Sequence, residues 1–185
     1  MNPVLLNFPD SFESERLTIR CPRPGDGAPL RAAAIESQTE LREWMPWAKE
    51  IDSEEHFESL MREAQAKWLK REDLWLLLFL KGTDEFVGGA GLHDCNWDVP
   101  SFEIGYWCRT KYVGQGFITE STNAITQFAF DGLKARRVQI RVDVRNLRSC
   151  AVAERCGFEL EGTLRNESLG TDGNPRNMRM YSRVR

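Results

Sequence analysis

Residues 109–120 read RTKYVGQGFITE. They follow the β-rich run Ser101–Cys108 (SFEIGYWC) and lead into an apolar helical run that reaches about Phe130. A strand therefore meets a short glycine loop, and the loop opens a helix. The first N–H groups of a helix lack internal partners. Together with the helix dipole they form a site for an anion. Gly114 and Gly116 remove side chains that would keep a phosphate away. The pattern is not a P-loop, since no lysine follows Gly116, and it is not the G-x-G-x-x-G dinucleotide fingerprint. Spacing alone leaves two readings open, a phosphate site and a plain strand–helix turn.

Working outward, the pattern is that of alternating elements. Arg16–Cys21 (RLTIRC) alternates and reads as a first strand, ended by Pro22, Pro24, Gly25 and Gly27. A short helix is expected over Pro29–Glu36, then an aromatic turn or broken helix over Leu41–Ala48 (LREWMPWA). Ser53 reads as an N-cap for an amphipathic helix over 53–71. Leu74–Leu80 (LWLLLFL) and Phe86–Leu92 (FVGGAGL) read as a hairpin around Gly82. Asp131-Gly132 is expected to end the helix after the glycine loop. Arg137–Val144 reads as a strand, Ser149–Cys156 as a short helix stopped by Gly157, and Phe158–Leu169 with Pro175–Val184 as a closing hairpin. This order predicts an α/β fold on a mixed sheet, with hairpins early and crossovers in the middle.

The chain has 185 residues and shows no linker, repeat or low-complexity tract, so one domain over 1–185 is expected. Its formal charge is −3, which argues against a dedicated nucleic-acid binder. The charge is uneven: residues 1–94 hold 11 basic and 18 acidic side chains, and residues 95–185 hold 14 and 10. The basic half would suit an anionic ligand and the acidic half a cationic one, although such blocks also arise as solvated faces. The longest apolar run, Leu74–Leu80, is too short to span a membrane, and the first residues lack the basic start of a secretory signal. Five cysteines and two histidines give no C-x-x-C pair and no zinc pattern. Reduced thiols in a cytoplasmic protein, and no metal, are expected.

A second constellation starts where the Arg137–Val144 strand stops, at Asn146-Leu147-Arg148-Ser149. Asn146 can cap the chain and offer its amide to an extended ligand beside the strand. Ser149 would open the helix and set a hydroxyl at the sheet edge. Both also read as ordinary caps.

Taken together, these segments resemble the GNAT superfamily of acetyl-coenzyme A-dependent N-acetyltransferases, and within it the ribosomal-protein (RimJ/RimL-like) branch. The matching residues are Glu15-Arg16-Leu17 with Ile19-Arg20; Leu41-Arg42 with Trp44, Pro46 and Trp47; Glu103-Ile104-Gly105-Tyr106-Trp107; Gly114-x-Gly116 with Thr119-Glu120; Asn146-x-Arg148-Ser149; and Gly157-Phe158 with Glu161-Gly162 and Leu164-Arg165. Their joint order, from about residue 15 to 181, carries the resemblance. It implies a mostly antiparallel sheet with helices on both faces, and two neighbouring strands that splay over the coenzyme's pantetheine arm.

The resemblance also implies roles. Val113, Gly114, Gln115, Gly116, Phe117 and Ile118 would hold the pyrophosphate through main-chain amides. Trp107, Cys108 and Arg109 would pair with the pantetheine, and Asn146 and Ser149 would line its other side. Arg109, Lys111 and Arg148 would meet the phosphates. Val113 and Ile118 depart from the family's usual residues at the two ends of the loop. The tyrosine that many members use to reprotonate the leaving thiolate is Ala153 here, so Ser149 becomes the candidate. Glu103 is the first candidate base, acting directly or through water, and Glu167 the second. Trp44 and Trp47 would line the acceptor site. The expected reaction moves an acetyl group from acetyl-CoA to a primary amine, the N-terminal amine of a ribosomal protein above all. A small-amine acetyltransferase (polyamine, amino acid or aminoglycoside) and a non-catalytic coenzyme-binding module are the rivals. A monomer or a homodimer is expected. His56 and His93 are read as structural or surface residues.

Overall fold

The computed structural model describes residues 2–185. In chain order the elements are β1 (Ser11–Glu13), β2 (Leu17–Arg20), α1 (Gly27–Glu36), α2 (Gln38–Leu41), α3 (Glu54–Lys70), β3 (Leu74–Leu80), β4 (Phe86–Asn96), β5 (Ser101–Cys108), α4 (Phe117–Asp131), β6 (Arg137–Asp143), α5 (Leu147–Arg155), β7 (Glu159–Leu169) and β8 (Pro175–Val184). The strands form one sheet in the order β1-β2-β3-β4-β5-β6-β8-β7. Each neighbouring pair is antiparallel except β5 with β6.

The run LWLLLFL is apolar throughout because β3 is covered on both faces. Leu74, Leu76 and Leu78 enter the cluster that holds Ile125 and Ala129 of α4 and Cys150 and Ala153 of α5. Leu77 and Phe79 enter the opposite one, with Leu30 and Ala33 of α1 and Phe57 and Met61 of α3. Alternate residues of one strand thus serve two layers, each fully buried leucine contributing on the order of 2 kcal/mol. Ser53 caps α3 as expected, its Oγ accepting from the His56 N–H at 3.1 Å. Helices α1 and α3 cross closely: a Cβ on Gly27 would lie 2.5 Å from Glu58 Cα. The Glu58 carboxylate accepts from the N–H groups of Gly25 and Gly27 at the start of α1.

Three local expectations change. Ser11–Glu13 adds a short edge strand, pairing with β2, that its mixed sequence does not announce. β4 runs on past Leu92 to Asn96, with a register irregularity between His93 and Asn96 where Asp94 takes a positive φ of 47°. As expected, α4 ends at Asp131 with Gly132 as its cap; that glycine is right-handed (φ −82°), and Lys134 makes the left-handed turn that follows (φ 58°). Ser149 does not open α5; the helix starts at Leu147 with Asn146 as its cap, and Ser149 is its third residue. The reason is the Asn146 side chain, which accepts the Ser149 N–H at 3.1 Å and so fixes the start two residues earlier.

Candidate active site

β5 and β6 pair through only three positions, Ser101 with Arg137, Phe102 with Val138 and Glu103 with Gln139. Beyond Glu103 they part, although β5 continues to Cys108 and β6 to Asp143. A crevice of about 1100 Å³ fills the gap, bordered by both strands, the glycine loop, the start of α4 and the start of α5. The outer half of β5 is therefore an open edge on the crevice side.

The main-chain direction along β5 follows from its other neighbour. The Arg109 N–H donates to Val87 O at 2.9 Å, so Arg109 and, by alternation, Trp107 turn their main-chain groups toward β4. A Cβ on Gly88 would sit 2.3 Å from Trp107 O, which agrees. Of the three residues expected to pair with pantetheine, only Cys108 faces the gap; Ile104 and Tyr106 share its orientation, and the sequence reading missed them. The Arg109 side chain is also spent, on Glu36 at 2.6 Å and Glu85 at 3.6 Å, and Lys111 is held by Glu85 at 2.6 Å. Arg148 is exposed at the crevice and forms no ion pair among the described residues.

The glycine loop is built as a nest. Gly114 (φ 79°) and Gly116 (φ 83°) both adopt the left-handed conformation, which an L side chain resists. From Gly114 through Thr119 no main-chain N–H finds an acceptor among the described residues; the first such bond belongs to Glu120, to Gly116 O at 3.0 Å. These consecutive donors at a helix start are the chemistry a diphosphate needs. Val113 is exposed at the loop's entrance, and Ile118 is half-buried on the crevice wall. Phe117 points inward, edge-on to Tyr112 with ring centres 5.6 Å apart and with Arg16 over its face at 4.2 Å. Glu120 anchors the helix to the β1–β2 turn by accepting from Ser14 Oγ, Arg16 N and Arg16 Nε at 2.6–2.7 Å. Burial works against its charge, but these donors hold its carboxyl below the usual carboxylate range.

At the centre of the gap, Tyr106 Oη lies 2.8 Å from Ser149 Oγ and donates to Ser149 O at 3.2 Å. Burial pushes the tyrosine hydroxyl up to about 12, so it stays protonated beside Ser149. Sequence pointed to Ser149; its partner Tyr106 lies 43 positions away and nothing in the pattern links them. Burial also pushes the Cys108 thiol on the same wall up to about 11, which keeps it uncharged.

On the opposite face of β5, Glu103 and Glu167 meet through Arg141. Arg141 Nε lies 2.7 Å from Glu103 and its NH1 group 2.9 Å from Glu167. Arg141 was not singled out in the sequence, because a strand arginine has no signature of its own. Trp44 borders the crevice. Trp47 borders an adjoining cavity of about 740 Å³ and packs edge-on against Trp107 at 5.6 Å. Gly89 exists to seat that indole, since a Cβ there would lie 2.5 Å from Trp107 Nε1.

An amide nest beneath two parted strands defines an enzyme that takes an acyl thioester on a nucleotide carrier and hands the acyl group across the gap. The chain belongs to the GNAT acetyltransferases: residues 16–159 match the family described as Acetyltransferase (GNAT) domain. It is an N-acetyltransferase, and the enzymes of this family use acetyl-CoA as donor. It is 29% identical to YdaF of Bacillus subtilis (strain 168), provisionally named a ribosomal N-acetyltransferase, over 91% of each chain. It is 26% identical to the ribosomal-protein-serine acetyltransferase of Escherichia coli (strain K12), over 92% of this chain and 94% of that one. Its fold superposes on the microcin C7 self-immunity acetyltransferase MccE, solved with acetyl-CoA and AMP, with a TM-score of 0.88 at 22% identity, covering 96% of this chain and 98% of that one. No group of side chains able to hold a metal is found among the described residues, and no helix there is long and apolar enough to cross a membrane.

The residues present fit acetyl-CoA. The unpartnered amides of the loop would hold its diphosphate, and Arg148 would meet the phosphates from the α5 side. The free edge formed by Ile104, Tyr106 and Cys108 would pair with the pantetheine amides as an added strand. Bound there, the donor supplies an electrophilic thioester carbonyl and a thiolate leaving group.

Proposed function

We propose that this enzyme acetylates the N-terminal amine of a protein, with ribosomal proteins the first class to test. The carrying observation is the carboxylate pair Glu103 and Glu167, bridged by Arg141, across the gap from the amide nest, with Glu40 nearby on the same crevice. Two carboxylates on one guanidinium keep a net negative charge, which draws a cationic amine toward the thioester. Ser149, backed by Tyr106, is the group that returns a proton to the leaving thiolate. An N-terminal amine, with an ordinary pKa near 7.7–8.0, reaches its reactive neutral form about 2.5 units sooner than a lysine near 10.4. That difference of roughly 3.5 kcal/mol favours a chain terminus. The names of the curated relatives point to the same substrate class. The aromatic cavity beside Trp47 supports a second reading, a compact amine on an apolar body. We read the chain as one catalytic domain working in the cytoplasm; its five cysteines are unpaired, which fits a reducing compartment.

The test is a mass-spectrometric screen with acetyl-CoA. Peptides with Ser, Ala or Met N-termini are compared with polyamines and free amino acids. Acetylation of the peptide termini at the highest kcat/KM supports the proposal, and turnover confined to the small amines refutes it.

A further inference from the structure

The cavity beyond Trp107 holds a feature the acetyl-transfer reading has not used. Its floor is glycine, and the imidazole of His93 lies on that floor. A Cβ on Gly91 would sit 2.7 Å from both Cε1 and Nε2 of His93, and one on Gly105 would sit 3.1 Å from Cδ2 and 3.2 Å from Nε2. Asp73, just before β3, fixes the ring: its Oδ1 is 2.7 Å from His93 Nδ1, while its Oδ2 accepts from Trp75 Nε1 at 3.0 Å. An acceptor carboxylate at Nδ1 places the proton there and leaves the lone pair on Nε2. Nε2 has no partner among the described residues, and the side chain is one-third exposed, on the wall of the cavity it shares with Trp47, Trp75, Trp107 and Leu60.

Resting on the reading that this side of the gap admits the amine, we propose that His93, steered by Asp73, is the base that takes the proton from the acceptor. The β4–β5 register sets His93 directly opposite Glu103, the carboxylate nearest the point where β5 and β6 part. The other charged groups facing the ring region are Asp94 on its own strand and Arg141 on β6, which ties Asp94 and Glu103 together. Lys49, Glu50, Asp52 and His56 line the same cavity. An imidazolium formed at His93 is thus paired with the Asp73 carboxylate, 2.7 Å from its Nδ1. The acceptor arrives as an ammonium and gives one proton to Nε2. Its freed lone pair forms the N–C bond as the C–S bond breaks. A second proton leaves the nitrogen and one is delivered to sulfur through Ser149. Of the ammonium's two departing protons, one passes from His93 to solvent and the equivalent of the other ends on the thiol.

His93→Asn separates this role from a structural one. The asparagine amide can still donate to Asp73, keeping the β3–β4 tie, but it has no base at the position of Nε2. The acceptors are the Ser-, Ala- and Met-terminated peptides and spermidine. Stability and the acetyl-CoA-induced thermal shift are expected to stay at wild-type values in His93→Asn, while kcat falls about a hundredfold or more. The acid limb of the pH profile due to the enzyme is expected to disappear, and added imidazole to restore turnover in His93→Ala. Asp73→Asn, which removes the charged acceptor at Nδ1, is expected to lose activity too. An unchanged kcat and pH profile in His93→Asn overturns the inference. Should that variant fail to fold, full activity in Asp73→Asn does so. A wild-type enzyme that releases thiol with none of these amines overturns the acceptor reading and this inference with it. Wild-type turnover beside an unaffected His93→Asn sinks this inference alone.

Discussion

Replacing Gly114 by alanine isolates the amide nest from everything else in the fold. A Cβ at this position meets nothing within 4 Å, so the protein has room for it. The intrinsic cost is conformational, because φ is +79° and an L residue in the left-handed region loses roughly 1 kcal/mol. For a chain of this size that lowers Tm by about 2–4 °C. The strain is the same with and without ligand, so it cancels from the dissociation constant. The added methyl group, however, projects from a loop that borders the crevice. If it displaces one amide–phosphate contact, the loss is about 1.5–3 kcal/mol, the value of a hydrogen bond to a charged group. That corresponds to about a ten- to hundredfold weaker Kd. Calorimetric titrations with coenzyme A and with pantetheine, which lacks the phosphates, read the difference. Coenzyme A is expected to weaken and pantetheine to bind as before. Equal losses for the two ligands, or no loss for either, would refute the assignment of the nest to the diphosphate.

Ser149→Ala removes the hydroxyl that Tyr106 contacts at 2.8 Å; steady-state kinetics are expected to show kcat lowered about a hundredfold with the Kd for acetyl-CoA unchanged. Gly88→Ala pushes a methyl group to 2.3 Å from Trp107 O, so β4 and β5 must separate. Overpacking of this kind costs about 1–3 kcal/mol, and a thermal melt is expected to show it as a drop of several degrees. Glu161 links β7 to Arg137 on β6 and to Ser182 on β8, and these bonds, Arg137 first, hold its carboxyl at about 2 against an ordinary 4.5. A lowered folded-state value means its stabilisation is present above pH 4.5 and is lost as pH falls from there toward about 2. Denaturant titrations across that window are expected to show a shallower acid loss in Glu161→Gln than in the wild type; because the pair is partly exposed, the effect is small.

The main elements were legible because each carried a local signal. The unbroken apolar run of β3, the alternation of β6, the helical spacing of α3 behind Ser53 and the glycine loop before α4 are all short-range patterns. The misreadings have local causes as well. The cap of α5 was set by a side-chain bond at Asn146 that competes with a serine three residues on. Edge strand β1 has too few residues to show a period.

The candidate site divides in the same way. The joint order of the motifs carried the family resemblance and singled out the glycine loop and Ser149, because a strand–loop–helix turn builds an amide nest from consecutive residues whatever the rest of the chain does. Which β5 main-chain groups face the crevice was decided only by pairing with β4, and the company of Ser149 with Tyr106, of Arg141 with two carboxylates and of His93 with Asp73 only by the assembled sheet. Hydrogen bonds and ion pairs form between neighbours in space, and these partners are brought together by strands that lie far apart in the chain.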